Sequence, residues 1–152
     1  MIAAVGRPKD QALAAAIRDY ETRAARYWPL EVMEVRGERG DSATSSATVR
    51  SREGDRIKQR VGSPATQVAC DASGQCMSSE RFAAWLQLER ENARDVAFMI
   101  GGAFGLADEL RDNAQMRLSL APWTLPHELA RLVLAEQLYR AGTIVRGEPY
   151  HK

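Results

Sequence analysis

The run Val96-Ala97-Phe98-Met99-Ile100, bounded by Asp95 and Gly101, constrains the fold most. Five consecutive apolar residues leave the segment no polar face, the pattern of a parallel strand covered on both sides. Such a strand needs helices over both faces of its sheet, which points to an α/β architecture. Other segments agree. Ile2 to Val5 is a short apolar run closed by Gly6. Thr66-Gln67-Val68-Ala69-Cys70 and Met116-Arg117-Leu118-Ser119-Leu120 read as further strands, the former ending at Asp71 before a turn with Ser73-Gly74. Leu30 to Val35 alternates apolar and polar, as a strand with one polar face does. Helical spacing fills the gaps. Leu13, Ile17, Tyr20, Ala24 and Tyr27 recur every three or four residues as far as Pro29. Phe82, Trp85, Leu86 and Glu89 mark a second helix, capped by Ser78 or Ser79. A short helix is expected from Ala107 to Arg111. The last begins near Pro126 with Thr124 as its cap, runs to about Ala141 and ends at Gly142. This alternation predicts a mostly parallel sheet in a single domain over residues 1–152.

From Arg36 to Pro64 apolar residues thin to Val49, Ile57 and Val61, which predicts a mobile loop running into a weak helix. Arg50, Arg52, Arg56, Lys58 and Arg60 suit either an RNA-facing lid or a solvated helix, and charge runs are more often the latter. The net charge of +1 matters here. A protein that grips bare duplex by counterion release carries a clear basic excess, so RNA binding would need a local patch, shape, or a partner surface. No apolar run approaches the roughly 18 residues of a membrane span, and the opening residues do not form a secretory signal. A cytoplasmic protein is expected. Cys70 and Cys76 do not form a CxxC pair and only two histidines exist, so free thiols and no metal site are expected.

Three stretches could carry chemistry. Gly101-Gly102-x-x-Gly105 follows the buried strand, at the edge where open α/β sheets bind ligands. It is neither GxGxxG nor a P-loop, and a tight structural turn explains the glycines equally well. In the last helix Leu129, Leu132, Val133, Glu136 and Arg140 share one face, and the rest is also largely apolar. The Glu136/Arg140 pair is then either a salt bridge at the helix margin or part of a face that meets a second subunit or substrate, and the latter is favoured. His127, at the start of this helix, reads alone as a structural hydrogen-bonding residue. The tail Tyr150-His151-Lys152 would fray by default, yet it combines a stacking ring, an imidazole and a cation, the groups that handle a splayed-out base.

Ile100-Gly101-Gly102, Trp123-Thr124-Leu125-Pro126-His127, Ala135 to Ala141 and Pro149-Tyr150-His151 stand in the order and spacing of the ribosomal RNA large-subunit methyltransferase H family. The chain resembles that family over nearly its whole length. The resemblance implies a SPOUT-type parallel sheet flanked by helices, with a C-terminal deep trefoil knot. It implies a homodimer, the cofactor S-adenosyl-L-methionine, and methylation of N3 of a pseudouridine in a stem-loop of 23S ribosomal RNA in the assembled ribosome. Carried over by position, the cofactor would meet Cys70, Gly102 and the loop Leu120, Ala121, Pro122, Trp123, Thr124 and Leu125. His151, Tyr150 and Arg140 would be catalytic, with His151 as general base. Lys152, Arg140 and His127 would contact RNA. The family turn usually reads Gly-Gly-Pro-x-Gly, whereas Ala103 and Phe104 stand here, and Trp123 is bulkier than the usual residue. A cofactor-free SPOUT-like RNA- or ribosome-binding module, and a SPOUT methyltransferase with another RNA target, are the competing readings.

Overall fold

The computed structural model describes residues 1–38, 44–62 and 66–151. Five strands and five helices follow one another along these residues: β1 (Ile2–Val5), α1 (Gln11–Ala24), β2 (Val32–Val35), α2 (Ser46–Val61), β3 (Thr66–Cys76), α3 (Ser79–Glu91), β4 (Val96–Ile100), α4 (Asp108–Asn113), β5 (Met116–Ser119) and α5 (His127–Val145). The strands form one sheet in the order β2-β1-β4-β3-β5, and every pairing is parallel. β4 lies at the centre, as its five apolar residues require.

Side-chain alternation divides the interior into two layers. Ile2, Ala4, Val68, Phe98 and Ile100 face α1, α3 and α5, where they meet Ala24, Phe82, Leu86, Leu134 and Leu138. Ala3, Val5, Ala69, Ala97 and Met99 face the other way, against Ile57 and Val61 of α2 and Leu110 of α4. Adjacent apolar residues in β1 and β4 therefore serve opposite cores. Trp28 fixes the first layer by donating its indole N–H to the Leu138 carbonyl at 2.8 Å.

Four sequence expectations need correction. The stretch expected as a loop with a weak helix holds the 16-residue helix α2, capped by Ser45, whose side chain accepts the Thr48 N–H. Val49, Glu53, Gly54, Ile57 and Val61 form its buried stripe, and the low apolar count concealed it because a carboxylate and a glycine occupy two of the core positions. Residues 39–43 and 63–65 of that stretch lie outside the described residues. β3 does not stop at Asp71. Asp71 accepts the N–H and hydroxyl of Ser73 in a local turn, the register against β5 shifts between Cys70 and Gln75, and pairing resumes through Cys76. Gly74 permits this, since a Cβ there would stand 2.7 Å from the Arg117 backbone.

At the other end of the chain, Gly142 does not terminate α5. It lies inside the helix, where a Cβ would meet the Tyr27 ring at 2.3 Å, so the glycine serves close packing of α5 on the end of α1. The helix instead ends at Gly147 (φ +66°), with Gly147 N–H donating to Ile144 O and Glu148 N–H to Thr143 O. That is the two-bond glycine termination of helices. Nor does Thr124 cap α5: Pro126 precedes its first residue and no side chain caps it.

Candidate cofactor cleft and C-terminal tail

A cleft of about 580 Å³ opens at the carboxyl ends of β4 and β5, beside the register shift of β3 after Cys70. Three segments wall it: Cys70 to Ala72, Ile100 to Gly105, and the segment from Ser119 to His127 except Pro122. Of the expected cofactor residues, Cys70, Gly102, Leu120, Ala121, Trp123, Thr124 and Leu125 thus stand around one cavity, and Pro122 stands outside its lining. His127, expected at the RNA, also lines it. The Ser119 hydroxyl donates to the Ala121 carbonyl at 2.7 Å and shapes the turn after β5. Phe104 and Trp123 remain 51% and 68% exposed, so they stand at the rim and do not fill the cleft.

The glycine turn is built by packing. A Cβ on Gly101 would stand 2.3 Å from the Gly105 backbone, and one on Gly102 would stand 2.7 Å from the Glu53 carboxylate. The Gly105 N–H closes the turn on the Gly102 carbonyl at 3.0 Å. Gly105 itself adopts φ +82°, the left-handed region that glycine enters freely. Ala103 and Phe104 occupy the two inner positions of this turn without disturbing it. Burial, with help from Asp71, pushes the Cys70 thiol up to about 12, so it lines the cleft as a neutral group. Both cysteines are free thiols.

The cleft suits a ligand that combines a nucleoside with a small zwitterion. Its volume is within the roughly 300–1,000 Å³ of small-molecule sites. Its lining is largely apolar or backbone, with Asp71, Ser119, Thr124 and His127 among its few polar side chains and no lysine or arginine. A nucleotide's phosphates would have no cation to meet there. S-adenosyl-L-methionine, which has no phosphate, fits these residues.

The second group of expected residues forms a cluster of its own. Glu136 is its hub. Its Oε1 accepts Arg140 Nη2 at 2.6 Å, Arg140 Nε at 3.0 Å and the Tyr150 hydroxyl at 3.1 Å. The Tyr150 ring packs edge-on against Tyr139 at 4.6 Å, with the Arg140 guanidinium 4.9 Å from its centroid. Burial, followed by hydrogen bonds with Tyr20 and Glu136, raises the Tyr150 phenol well above its ordinary range. His151 Nε2 lies 2.6 Å from Glu80 Oε1, at the first turn of α3, and Nδ1 lies 3.4 Å from Arg140 Nη1. A guanidinium only donates, so these partners select the tautomer with Nε2–H toward Glu80 and the Nδ1 lone pair toward Arg140. The tail, which would fray by default, is instead docked through His151 on the protein itself. Lys152 lies outside the described residues.

Arg140, Tyr150 and His151 are not among the residues that line the cleft. Arg140 sits thirteen residues beyond His127, about 20 Å along α5 at 1.5 Å per residue. One chain does not bring the two groups together.

The face of α5 holding Leu129, Leu132, Val133, Glu136 and Arg140 is only partly covered, because Arg131, Leu134, Ala135, Leu138, Ala141 and Gly142 form the buried face. Arg131 escaped sequence reasoning. It is 5% exposed and binds Glu21 at 2.7 Å and Glu34 at 2.8 Å. Its place three and four residues before Leu134 and Ala135 was the available signal. The basic residues of α2 that suit either an RNA-facing lid or a solvated helix are largely paired: Arg50 with Asp108, Arg52 and Arg56 with Glu38, and Lys58 with Glu109.

Among the described residues no helix is long and apolar enough to cross a membrane, and no three His, Cys, Asp or Glu side chains converge as metal ligands. The family model described as "Predicted SPOUT methyltransferase" matches residues 1–151. Proteins named ribosomal RNA large subunit methyltransferase H are similar over almost the whole chain. The one from Gemmatimonas aurantiaca is 61% identical over 97% of this chain and 96% of its own length. Those of Anaeromyxobacter sp. strain Fw109-5 and Syntrophotalea carbinolica are 42% and 40% identical, over 99% and 97% of this chain and 97% and 94% of their own lengths. Among solved structures, that of TrmJ from Z. mobilis ZM4 superposes with a TM-score of 0.50 at 17% identity, covering 92% of this chain and 68% of that one, a likeness of fold.

Proposed function

Because this chain belongs to the SPOUT methyltransferase family, and within it to the ribosomal RNA large subunit methyltransferase H proteins, we propose that it methylates N3 of a pseudouridine in 23S ribosomal RNA on assembled, cytoplasmic ribosomes. The observation that carries this reading is the cleft at the carboxyl ends of β4 and β5, largely apolar and, among the described residues, lined by no lysine or arginine. S-adenosyl-L-methionine, when bound there, supplies the electrophilic methyl group. The C-terminal trefoil knot, with Leu120 to Leu125 as its knot loop, belongs to the same proposal.

The substrate N3–H is a weak acid, and its removal is the work of a positioned base. His151 is that base. Glu80 holds Nε2–H, which leaves the Nδ1 lone pair to accept the proton once Arg140 turns to the substrate. A positioned base of this kind is typically worth about 10²–10⁴-fold. Arg140 then offsets charge growing on the carbonyl oxygens beside N3. Tyr150, its phenol kept protonated, offers a ring for stacking and does not compete as a base. The modest net charge agrees with docking on the ribosome, where other surfaces supply affinity.

The separation of tail and cleft within one chain calls for a homodimer. If the half-covered face of α5 crosses its copy antiparallel, the Arg140 end of one helix lies beside the His127 end of the other. Each site then combines the cleft of one protomer with the tail of its partner. The docked conformation of the tail presents Tyr150 and His151 from the same side of α5 as Glu136 and Arg140, which supports this arrangement.

The test is mass spectrometry of ribosomal RNA nucleosides from a strain lacking the gene. Loss of 3-methylpseudouridine, restored by the wild-type chain and not by His151→Ala, is the expected result. Retention of that nucleoside in the deletion strain would overturn the substrate assignment.

A further inference from the structure

Glu53, on α2, is 4% exposed. Its Oε1 accepts the Glu38 N–H at 2.9 Å. Its Oε2 is enclosed and has no hydrogen-bond partner among the described residues. Both oxygens press on Gly102: a Cβ there would meet Oε2 at 2.7 Å and Oε1 at 3.1 Å. Gly102 lines the cleft and Glu53 does not, so one layer of backbone separates the carboxylate from the cavity.

An enclosed carboxylate oxygen without a donor is costly, and a native structure that keeps one needs a reason. Among the described residues, neighbouring cations do not supply it. Arg52 and Arg56, which flank Glu53 on α2, are bound by Glu38. The other deeply buried glutamate, Glu89, differs: it accepts the Thr66 hydroxyl at 2.8 Å and faces Arg94 at 3.7 Å. The Asp71 carboxylate in the cleft wall is engaged by Ser73. Glu53 thus sets an unpartnered carboxyl oxygen beneath the floor of a cleft that, among the described residues, is lined by no lysine or arginine. Low-dielectric walls carry the field of such a carboxylate into the cavity.

We propose that Glu53 is a specificity-determining residue: its carboxylate, beneath Gly102, favours a cation in the cleft and so distinguishes sulfonium-bearing S-adenosyl-L-methionine from S-adenosylhomocysteine. The inference rests on the reading that this cleft holds S-adenosyl-L-methionine. The two ligands differ by one methyl group and by the charge on sulfur. Before transfer the cation offsets the cost of the buried carboxylate. Once the methyl has left, the sulfur is neutral, that attraction ends, and release of the product is favoured. Gly102 is required because any side chain there would displace the carboxylate.

Calorimetry of the full-length protein with each ligand tests this. Glu53→Gln keeps the shape of the side chain and the acceptor for the Glu38 N–H while removing the charge. Its affinity for S-adenosyl-L-methionine should fall about tenfold or more, tenfold being the effect of one unit charge about 12 Å away at an effective dielectric constant of about 20, with that for S-adenosylhomocysteine nearly unchanged. Glu53→Asp should retain most of the wild-type ratio. If the Gln variant does not fold, Gly102→Ala displaces the carboxylate and should show the same bias against the cation. Equal loss for both ligands, as from a merely structural role, would overturn the proposal, as would an unchanged ratio. Failure of the wild-type chain to bind either ligand would instead overturn the cofactor reading on which the proposal stands.

Discussion

Arg131 joins α5 to α1 and β2, and replacing it measures how firmly that helix is held. Its side chain is 6% exposed. Nε and Nη2 reach the two oxygens of Glu21 at 2.7 and 3.3 Å, and Nη1 reaches Glu34 at 2.8 Å. The two carboxylates outweigh burial and raise the arginine's pKa further, so the charge is present at every working pH. Arg131→Met keeps an unbranched stem of comparable length and removes the guanidinium. Breaking one partner out of a buried ion pair costs about 3–5 kcal/mol, because the partner charge is left behind. Here the two carboxylates differ. Glu34 is 28% exposed and retains Arg7 at 2.9 Å, so water and a second cation relieve it. Glu21 is 12% exposed and gives up both of its bonds to Arg131. The loss should therefore fall at the lower end, about 3 kcal/mol. For a chain of this size that is a fall in melting temperature of roughly 6–12 °C. Urea unfolding at fixed protomer concentration, with calorimetric melting beside it, gives the number. A control chain with Glu21→Gln and Glu34→Gln added should recover much of the loss, since no charge is then orphaned. A loss below about 1 kcal/mol for Arg131→Met, the value of an exposed pair, would refute the assignment of a buried, structurally necessary triad.

Two further predictions concern the tail. If sites form across a dimer, mixing the inactive variants Gly102→Val and His151→Ala should restore activity, up to about one quarter of wild type for random exchange of subunits; no recovery after verified exchange would place cleft and tail in the same chain. The Glu80 carboxyl is held down to about 2, first by the Ser78 hydroxyl, then by its own N–H and by His151. Only the share of that depression that His151 supplies stabilises docking; it is fully present above the ordinary value of 4.5 and is lost as pH falls through about 2. Through-space magnetisation transfer between the Glu80 and His151 side chains should accordingly persist down to pH 4.5 and be lost between there and 2, and its loss above pH 5 would contradict the Glu80 contact.

The sheet was largely legible because its residues answer to one rule. A strand covered on both faces must be apolar throughout, and β1 and β4 are. The same rule explains the failure at α2, where the buried stripe spends two positions on Glu53 and Gly54. Composition reads such a segment as solvated, because it counts a carboxylate as exposed whether or not it is. The end of α5 misled for a related reason. Glycine both stops helices and lets them approach closely, and only the position of Tyr27 decides between these uses at Gly142. The cleft residues were placed by resemblance to a family, since Leu120 to Leu125 carry no chemical group that composition would single out. Glu80 was beyond reach for another reason: its contact with His151 spans 71 residues of sequence, and neither residue type demands the other.

The glycine turn draws these observations together. Its sequence departs from the family pattern at Ala103 and Phe104. Yet the positions that packing dictates are Gly101, held against Gly105, and Gly102, held against Glu53, and both are intact. The departures fall at the exposed tip, where Phe104, like Trp123, adds an aromatic surface to the rim. A turn of this kind can vary at its tip without moving its base. Recognition of the ligand's charge would then reside beneath the floor, in α2, and recognition of the RNA at the rim and in the partner's tail. The two can change independently because different elements carry them, and a mutation at Phe104 or Trp123 should alter the use of ribosomes before it alters the binding of the methyl donor.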